Sequence, residues 1–237
     1  MPSESDLSTP KSYRRAIGLF ILAALVPTIW TSVDISAAGL FFGPAPAIAS
    51  SHWVWVVLIN EWVPAVFRGA LAVGFVVWLV ATINPRLRAW RLPLAFFVIG
   101  GIMGPGALVN LGFKDNWQRA RPYQVEAFGG TQKFSRAAVV SDQCDNNCSF
   151  VSGHVACGAF LMALGLVDRR RRAAWLAIGL IAGLAIGFAR MSAMDHWLSD
   201  VLWAFPITLA GAWVCWKPLV WLYGRNPAQG SPSRTVG

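Results

Sequence analysis

Residues 92–113 read LPLAFFVIGGIMGPGALVNLGF, 22 positions in which Asn110 is the one strongly polar side chain and no residue is charged. A helix needs ~20 such residues to cross a bilayer. Working outward from this stretch, five more segments have the same character, giving six expected spans: Ala16–Thr31, Gly69–Asn84, Leu92–Phe113, Ser152–Val167, Ala173–Phe188 and His196–Trp216. Composition agrees. The chain is 56% hydrophobic and 13% charged, where a soluble domain carries about 25% charge. The expected fold is all-α, a polytopic membrane protein with six transmembrane helices. Trp30, Trp90, Trp175, Trp197, Trp216 and Trp221 fall near span ends, as interfacial aromatic belts do.

Lys and Arg in the short loops set the orientation. Lys11, Arg14 and Arg15, then Arg86, Arg88 and Arg91, then Arg169, Arg170, Arg171 and Arg172, then Lys217 and Arg225 all fall on one side of a six-span arrangement. That side is expected to be cytoplasmic, with both termini inside. Ser32–Arg68, Lys114–Val151 and Ala189–Asp195 then face outward. The central outward loop still carries Lys114, Arg119, Arg121, Lys133 and Arg136. A local excess of cations there suits an anionic substrate, while Lys133 and Arg136 also read as solvated surface charge. The formal net charge of +9 is accounted for mainly by this anchoring, so nucleic acid is not an expected partner; the Arg169–Arg172 run reads as an anchor touching anionic membrane lipid.

The first span is not expected to be a cleaved signal peptide, because no small-residue cleavage site follows it. A single domain over residues 1–237 is expected, with mobile tails at about 1–12 and 225–237. The apolar stretch Trp53–Phe67 carries Asn60, Glu61 and Pro64. It reads either as a helix lying along the outer interface or as an extension of the second span.

Three short clusters carry chemistry. The first is Lys114-Asp-Asn-Trp-Gln-Arg-Ala-Arg121-Pro122, the second Ser152-Gly153-His154, the third Arg190, His196 and Asp200. Each sits at the end of an apolar stretch, and all face outward in the expected topology. Arg121 and Arg190 present planar forks for two oxygens of an anion, and Lys114 a compact point charge. Ser152 adds a hydroxyl, and Gly153 lets backbone approach at a helix N-terminus, which favours an anion. His154 and His196, two of the three histidines, are the candidate acid–base and nucleophile pair. Asp200, four residues after His196, would share its helical face and fix one ring nitrogen so that the other can attack phosphorus. Asp195 would point elsewhere and is the weaker partner. Taken singly, a histidine near an interface is an ordinary satisfied polar group, and an arginine at a span end snorkels to headgroups; the three clusters together point to phosphate chemistry at an outward-facing active site.

Cys144 and Cys148 lie in the outward loop, where an oxidising compartment allows a small disulfide loop. Zinc is the rival reading of the pair, but no second ligand pair has suitable spacing. Cys157 and Cys215 lie within spans and read as packing residues.

The order Lys-x6-Arg-Pro, Ser-Gly-His, Arg-x5-His-x3-Asp resembles the type 2 phosphatidic acid phosphatase family, from Lys114 to Asp200 and in the six-span layout. The resemblance implies that His196 attacks phosphorus and becomes a phosphohistidine, and that Asp200 orients it. It implies that His154 protonates the leaving oxygen, and that Lys114, Arg121, Ser152, Gly153 and Arg190 hold the phosphate. It implies no metal and no cofactor. Two positions depart from the family pattern: Val151 stands where Pro is usual and Ala189 where Ser is usual. Cys144-Asp-Asn-Asn-Cys148-Ser-Phe-Val-Ser-Gly-His and Asp34-Ile-Ser-Ala-Ala-Gly-Leu-Phe-Phe resemble bacterial members that include lipid A phosphatases. The implied protein is a lipid phosphatase of the bacterial inner membrane with a periplasmic site. Its implied substrate is a phosphorylated lipid, lipid A or a precursor first. Phosphatidylglycerophosphate, undecaprenyl pyrophosphate and transfer of the phosphoryl group between lipids are the alternatives. Vanadate-dependent haloperoxidases are similar in the same residues, but they are soluble. An anion transporter or channel would be expected to show a repeat or mid-membrane charges. An inactive scaffold is at odds with intact His154, His196 and Asp200.

Overall fold

The computed structural model describes residues 10–223. The expected tails fall outside that range, except that Lys11 and Ser12 already open the first helix. The described residues are helices and connecting loops. α1 (Lys11–Ile29) is followed after Trp30 by the short α2 (Thr31–Gly39). α3 (Val54–Ile83) is one continuous helix of 30 residues. At 1.5 Å per residue it is about 45 Å long, well beyond the ~30 Å of a hydrocarbon core. The Trp53–Phe67 stretch is therefore an extension of the second span, and it carries Asn60 inward over the site. A 3₁₀ turn (Pro85–Trp90) leads into α4 (Arg91–Gly101), which continues as a π-helical stretch, Ile102–Lys114. Pro105 lies inside that stretch and cannot donate to the preceding turn. The side chain of Asn110 instead donates to the carbonyl of Pro105 at 2.7 Å. An irregular segment then leads to α5 (Gly153–Ala163, closed by the 3₁₀ turn Leu164–Leu166), α6 (Arg172–Ser192) and α7 (Leu198–Tyr223).

Among the described residues five helices are long and apolar enough to cross a membrane: Lys11–Ile29, Val54–Ile83, Pro85–Lys114, Arg172–Ser192 and Leu198–Tyr223. The fourth expected span is the helix Gly153–Leu166, shorter than a full crossing. It needs less length because it is enclosed by protein. α5 packs mainly on α6 and α7, with the π-helical stretch and α3 on its other sides, and its Val155, Ala156, Ala159 and Phe160 are fully buried. α3 has the opposite character. Of its residues only Val56, Gly74 and Ala81 are buried, and Val54, Leu58, Trp62, Val66, Val73, Val76 and Ile83 are exposed, a surface suited to lipid.

Close packing around α5 depends on a run in α6 that composition alone hides. Gly179, Gly183 and Gly187 recur every four residues, so they share one face. A methyl group at these positions would come within 2.4 Å of Met162, 2.5 Å of Phe205 and 2.4 Å of Val201 respectively. Small residues at this spacing let helices approach closely in a membrane. Two expected belt residues are corrected here. Trp197 and Trp216 are buried at 1% and 4% exposure. Trp197 stacks over the guanidinium of Arg119 and donates from Nε1 to the carbonyl of Ala120 at 2.9 Å. Trp216 meets Phe96 edge to face. Trp30, Trp90 and Trp221 are exposed, as expected.

Candidate active site

α6 ends at Ser192, and Met194 takes a left-handed conformation (φ 57°). That turn delivers Asp195 and His196 ahead of α7. His196 therefore sits in the turn, not on the helical face shared with Asp200 that its i, i+4 spacing suggested. The pairing arises all the same: His196 Nδ1 lies 3.7 Å from Asp200 Oδ2, with both side chains buried. This exceeds hydrogen-bond reach, so in the resting site the carboxylate faces the ring without a direct bond and is placed to pair with it once the ring becomes cationic. Burial, opposed by Asp200 but helped by the charges of Arg190 and Arg121, holds the imidazole below its ordinary range, at about 4. The ring is thus neutral near pH 7. With Nδ1 turned to Asp200, Nε2 is the nitrogen left to act as a nucleophile.

Asp200 is fixed from several directions. Its Oδ2 accepts from the backbone N–H of Trp197 at 2.9 Å and from the hydroxyl of Ser149. Its Oδ1 accepts from Arg119 Nη1. Arg119 was read from sequence as one of the cations meeting an outside anion. It is instead fully buried and spans two carboxylates, with Nη2 on Asp34 Oδ2 at 2.8 Å. Its Nε donates to the carbonyl of Ser135 at 2.9 Å. Asp34 also accepts from the backbone N–H and hydroxyl of Ser199, tying α2 to the start of α7. Two buried carboxylates on one guanidinium leave a net negative charge beside His196, suited to a ring that becomes cationic during reaction.

Arg121 and Arg190 meet at Asp195. Arg121 Nη1 contacts Asp195 Oδ1, and Arg190 Nη2 lies 2.8 Å from Asp195 Oδ2. Asp195 does point away from His196, and the tight turn at Met194 aims its carboxylate at both arginines, a role its sequence position does not suggest. Arg121 is also held by the carbonyl of Asn147, which accepts from Nε at 3.0 Å and Nη2 at 2.8 Å. Asn147 lies inside the loop closed by a Cys144–Cys148 disulfide.

Ser152 precedes the first turn of α5, and its backbone N–H faces the carbonyl of Asp200 at 3.4 Å. Its buried hydroxyl and Nε of Arg190 have no hydrogen-bond partner within the protein. Gly153 is needed for space: a Cβ there would lie 2.7 Å from Asn110 Oδ1. His154 Nε2 lies 3.2 Å from the carbonyl of Asn60. A carbonyl only accepts, so Nε2 carries the proton in this contact and Nδ1 is the atom left to exchange one. The same Asn60 accepts from Arg190 Nη1 at 3.3 Å through its side chain. Lys114, at the end of the π-helical stretch, shares with His154 a cleft of about 440 Å³ whose lining also includes the apolar Phe67, Leu71 and Ile102.

A family model matches residues 89–222, more than half of the chain, described as the PAP2 superfamily. The chain belongs to that superfamily. A lipid A 4'-phosphatase of Francisella tularensis subsp. novicida is 30% identical over 190 residues, 78% of this chain and 86% of the relative. Lipid A 4'-phosphatases of Rhizobium leguminosarum and Rhizobium etli are 37% and 38% identical over 123 and 122 residues. In those two alignments the chain covers 52% and 46% of the relative's length. No solved structure matches at comparable stringency.

In this PAP2 bundle Arg121 and Arg190 meet at Asp195, His196 faces Asp200, and Lys114, Gly153 and His154 line one cleft. Sequence reasoning did not find the roles of Arg119, Asp34, Asn60 and Asp195. One signal for Asn60 was legible: a lone amide in an otherwise apolar helix has to satisfy its hydrogen bonds somewhere. The disulfide gives a direct prediction. Reduction, or the double change Cys144→Ser with Cys148→Ser, frees the Asn147 carbonyl from its grip on Arg121. Catalytic efficiency should fall several-fold, mainly through a raised KM, with a stability loss of at most about 2 kcal/mol for so short a loop. Thiol labelling with and without reductant, combined with steady-state kinetics, checks both parts. Free labelling without reductant would show that no bridge exists.

Proposed function

We propose that this single-domain protein is a metal-independent phosphatase of the bacterial inner membrane. It removes a phosphate monoester from lipid A or a precursor on the periplasmic face, through a phosphohistidine on His196. The observation that carries the reading is the arrangement at His196. A buried neutral imidazole has one nitrogen directed at a fixed carboxylate and stands next to a pair of arginines. The names of the relatives support the lipid substrate, as does a cleft that joins Lys114 and His154 to apolar walls. A phosphorylated headgroup fits its polar end and lipid chains the rest.

In the proposed reaction Arg121, Arg190 and Lys114 draw in the phosphate, and the Ser152 hydroxyl and the amides at the start of α5 add donors. Nε2 of His196 attacks phosphorus. The P–O bond to the lipid breaks, and the leaving oxygen takes the Nδ1 proton of His154, which enters this step as the imidazolium, its charge balanced by the bound phosphate and its Nε2–H still on the Asn60 carbonyl. His154 then removes a proton from water, whose oxygen attacks the phosphohistidine. The P–N bond breaks, releasing phosphate and restoring both rings. Asp200 balances the cationic ring throughout, backed by Arg119 and Asp34.

The basic flanks support an outward site. The N-terminus of α1 meets the C-terminal end of α5, where the Tyr13 hydroxyl donates to the carbonyl of Met162. Arg172 donates to the carbonyl of Gly165 at 3.2 Å at that same end. His154, Arg190 and Asp200 come from the opposite helix ends. Positive flanks favour the cytoplasm, which leaves the site and its disulfide facing the oxidising side.

The direct test is mass spectrometry of products after purified protein is incubated with lipid A, phosphatidic acid, phosphatidylglycerophosphate and undecaprenyl pyrophosphate. Loss of one phosphate from lipid A, fastest of the panel, is expected; failure of every lipid phosphate to react would end the proposal. Because three cations neutralise the phosphate, turnover should be unchanged by EDTA. Vanadate should inhibit as a five-coordinate mimic of the transition state. Loss of activity on chelation with recovery on adding Mg²⁺ or Zn²⁺ would contradict the metal-independent route.

A further inference from the structure

We propose that the carboxylate of Asp195 is a built-in competitor for phosphate, occupying the arginine clamp in the resting enzyme and leaving it when substrate binds. This rests on the reading of Arg121 and Arg190 as phosphate ligands. Each Asp195 oxygen engages a different guanidinium, Oδ1 that of Arg121 and Oδ2 that of Arg190, as a bridging oxyanion would. The clamp does not depend on Asp195 for its position. Arg121 is held through two other nitrogens by the Asn147 carbonyl, and Arg190 through Nη1 by Asn60. The Asp195 side chain is 21% exposed, against 8% and 9% for the two arginines. It therefore has open space to turn into while the arginines stay. Its position between Met194 and His196, in a turn rather than a helix, leaves its side chain free of the packing that fixes Asp200.

The consequence is selectivity by anchoring. A phosphate that enters must displace the carboxylate or sit beside a like charge, and either weakens its binding. Orthophosphate has only the polar clamp to set against that cost. A lipid phosphate also gains apolar contact along the cleft, so it displaces the carboxylate at far lower concentration than the free anion does. The returning carboxylate then helps to expel the product.

The experiment uses the full-length protein in detergent, with Asp195→Asn and Asp195→Ala. Inhibition constants for orthophosphate and vanadate are measured alongside kcat and KM for the lipid. In both variants the orthophosphate constant should fall at least tenfold, KM should fall by less, and kcat should drop as release slows. Constants that are unchanged or higher would overturn the inference and make Asp195 a support for the arginines. If vanadate and orthophosphate inhibit neither wild type nor variants, the phosphate-site reading itself fails and takes this inference with it. A structure of the wild-type protein with vanadate bound serves even where a variant does not fold. Asp195 should be found away from both guanidinium groups, and a carboxylate still bridging them would refute the proposal.

Discussion

His196→Ala should lose turnover by roughly 10³-fold or more, the scale seen when a nucleophile is removed from a site whose residues act together. The reason is geometric. His154, the other site histidine, has Nε2 engaged with the Asn60 carbonyl, and Asp200 is committed to Arg119, Ser149 and the Trp197 amide beside His196, so His154 lacks the carboxylate that would support its attack. His52 lies exposed in a turn before α3. The fold should survive, because His196 Nδ1 makes no hydrogen bond whose loss would strand a partner, and Asp200 keeps its other donors. Phosphate release and thermal unfolding of the detergent-solubilised variant check the two halves. More than a few per cent of wild-type activity would remove His196 from the nucleophile's role.

Arg119→Met should have the largest effect on stability, about 3–5 kcal/mol, and should abolish activity as well. A buried guanidinium shared by Asp34 and Asp200 leaves, on removal, two unpaired buried carboxylates at one point. Arg119→Lys should rescue little, since one ammonium cannot reproduce a planar fork that reaches both carboxylates, Ser199 and the Ser135 carbonyl. Asp34→Asn should cost less stability but still slow turnover, because Arg119 would then bear on Asp200 alone. Thermal unfolding with matched phosphate-release assays distinguishes these. Wild-type melting and full activity in Arg119→Met would show that the network is dispensable.

Much of the site could be read from sequence because its chemistry sits at fixed spacings beside apolar spans. Lys114, Arg121, His154, Arg190, His196 and Asp200 come together as expected, although His196 reaches Asp200 from a turn. The helical character was legible for the same reason, since long uncharged runs leave few alternatives in a bilayer. Spacing says nothing about long-range partners. Arg119 resembles the other loop cations, and only the packing of α2 against α7 reveals that Asp34, 85 residues away, claims it. The pairing of Asp195 with Arg121 and Arg190 is likewise hidden, because it depends on the chain reversal at Met194. The short α5 reads like the other spans because its apolarity reflects enclosure by α6 and α7, and burial in protein and burial in lipid leave the same mark on a sequence.

Oxygen exchange between water and orthophosphate tests the phosphohistidine most directly. In ¹⁸O-enriched water the wild-type protein should form the enzyme–phosphate bond from orthophosphate, lose it again to water, and so incorporate label into phosphate without any lipid present. Mass spectrometry of the phosphate should show that exchange in the wild type and none in His196→Ala. Exchange that persists in the variant, or a wild type that dephosphorylates lipid yet leaves orthophosphate unlabelled, would contradict attack by His196.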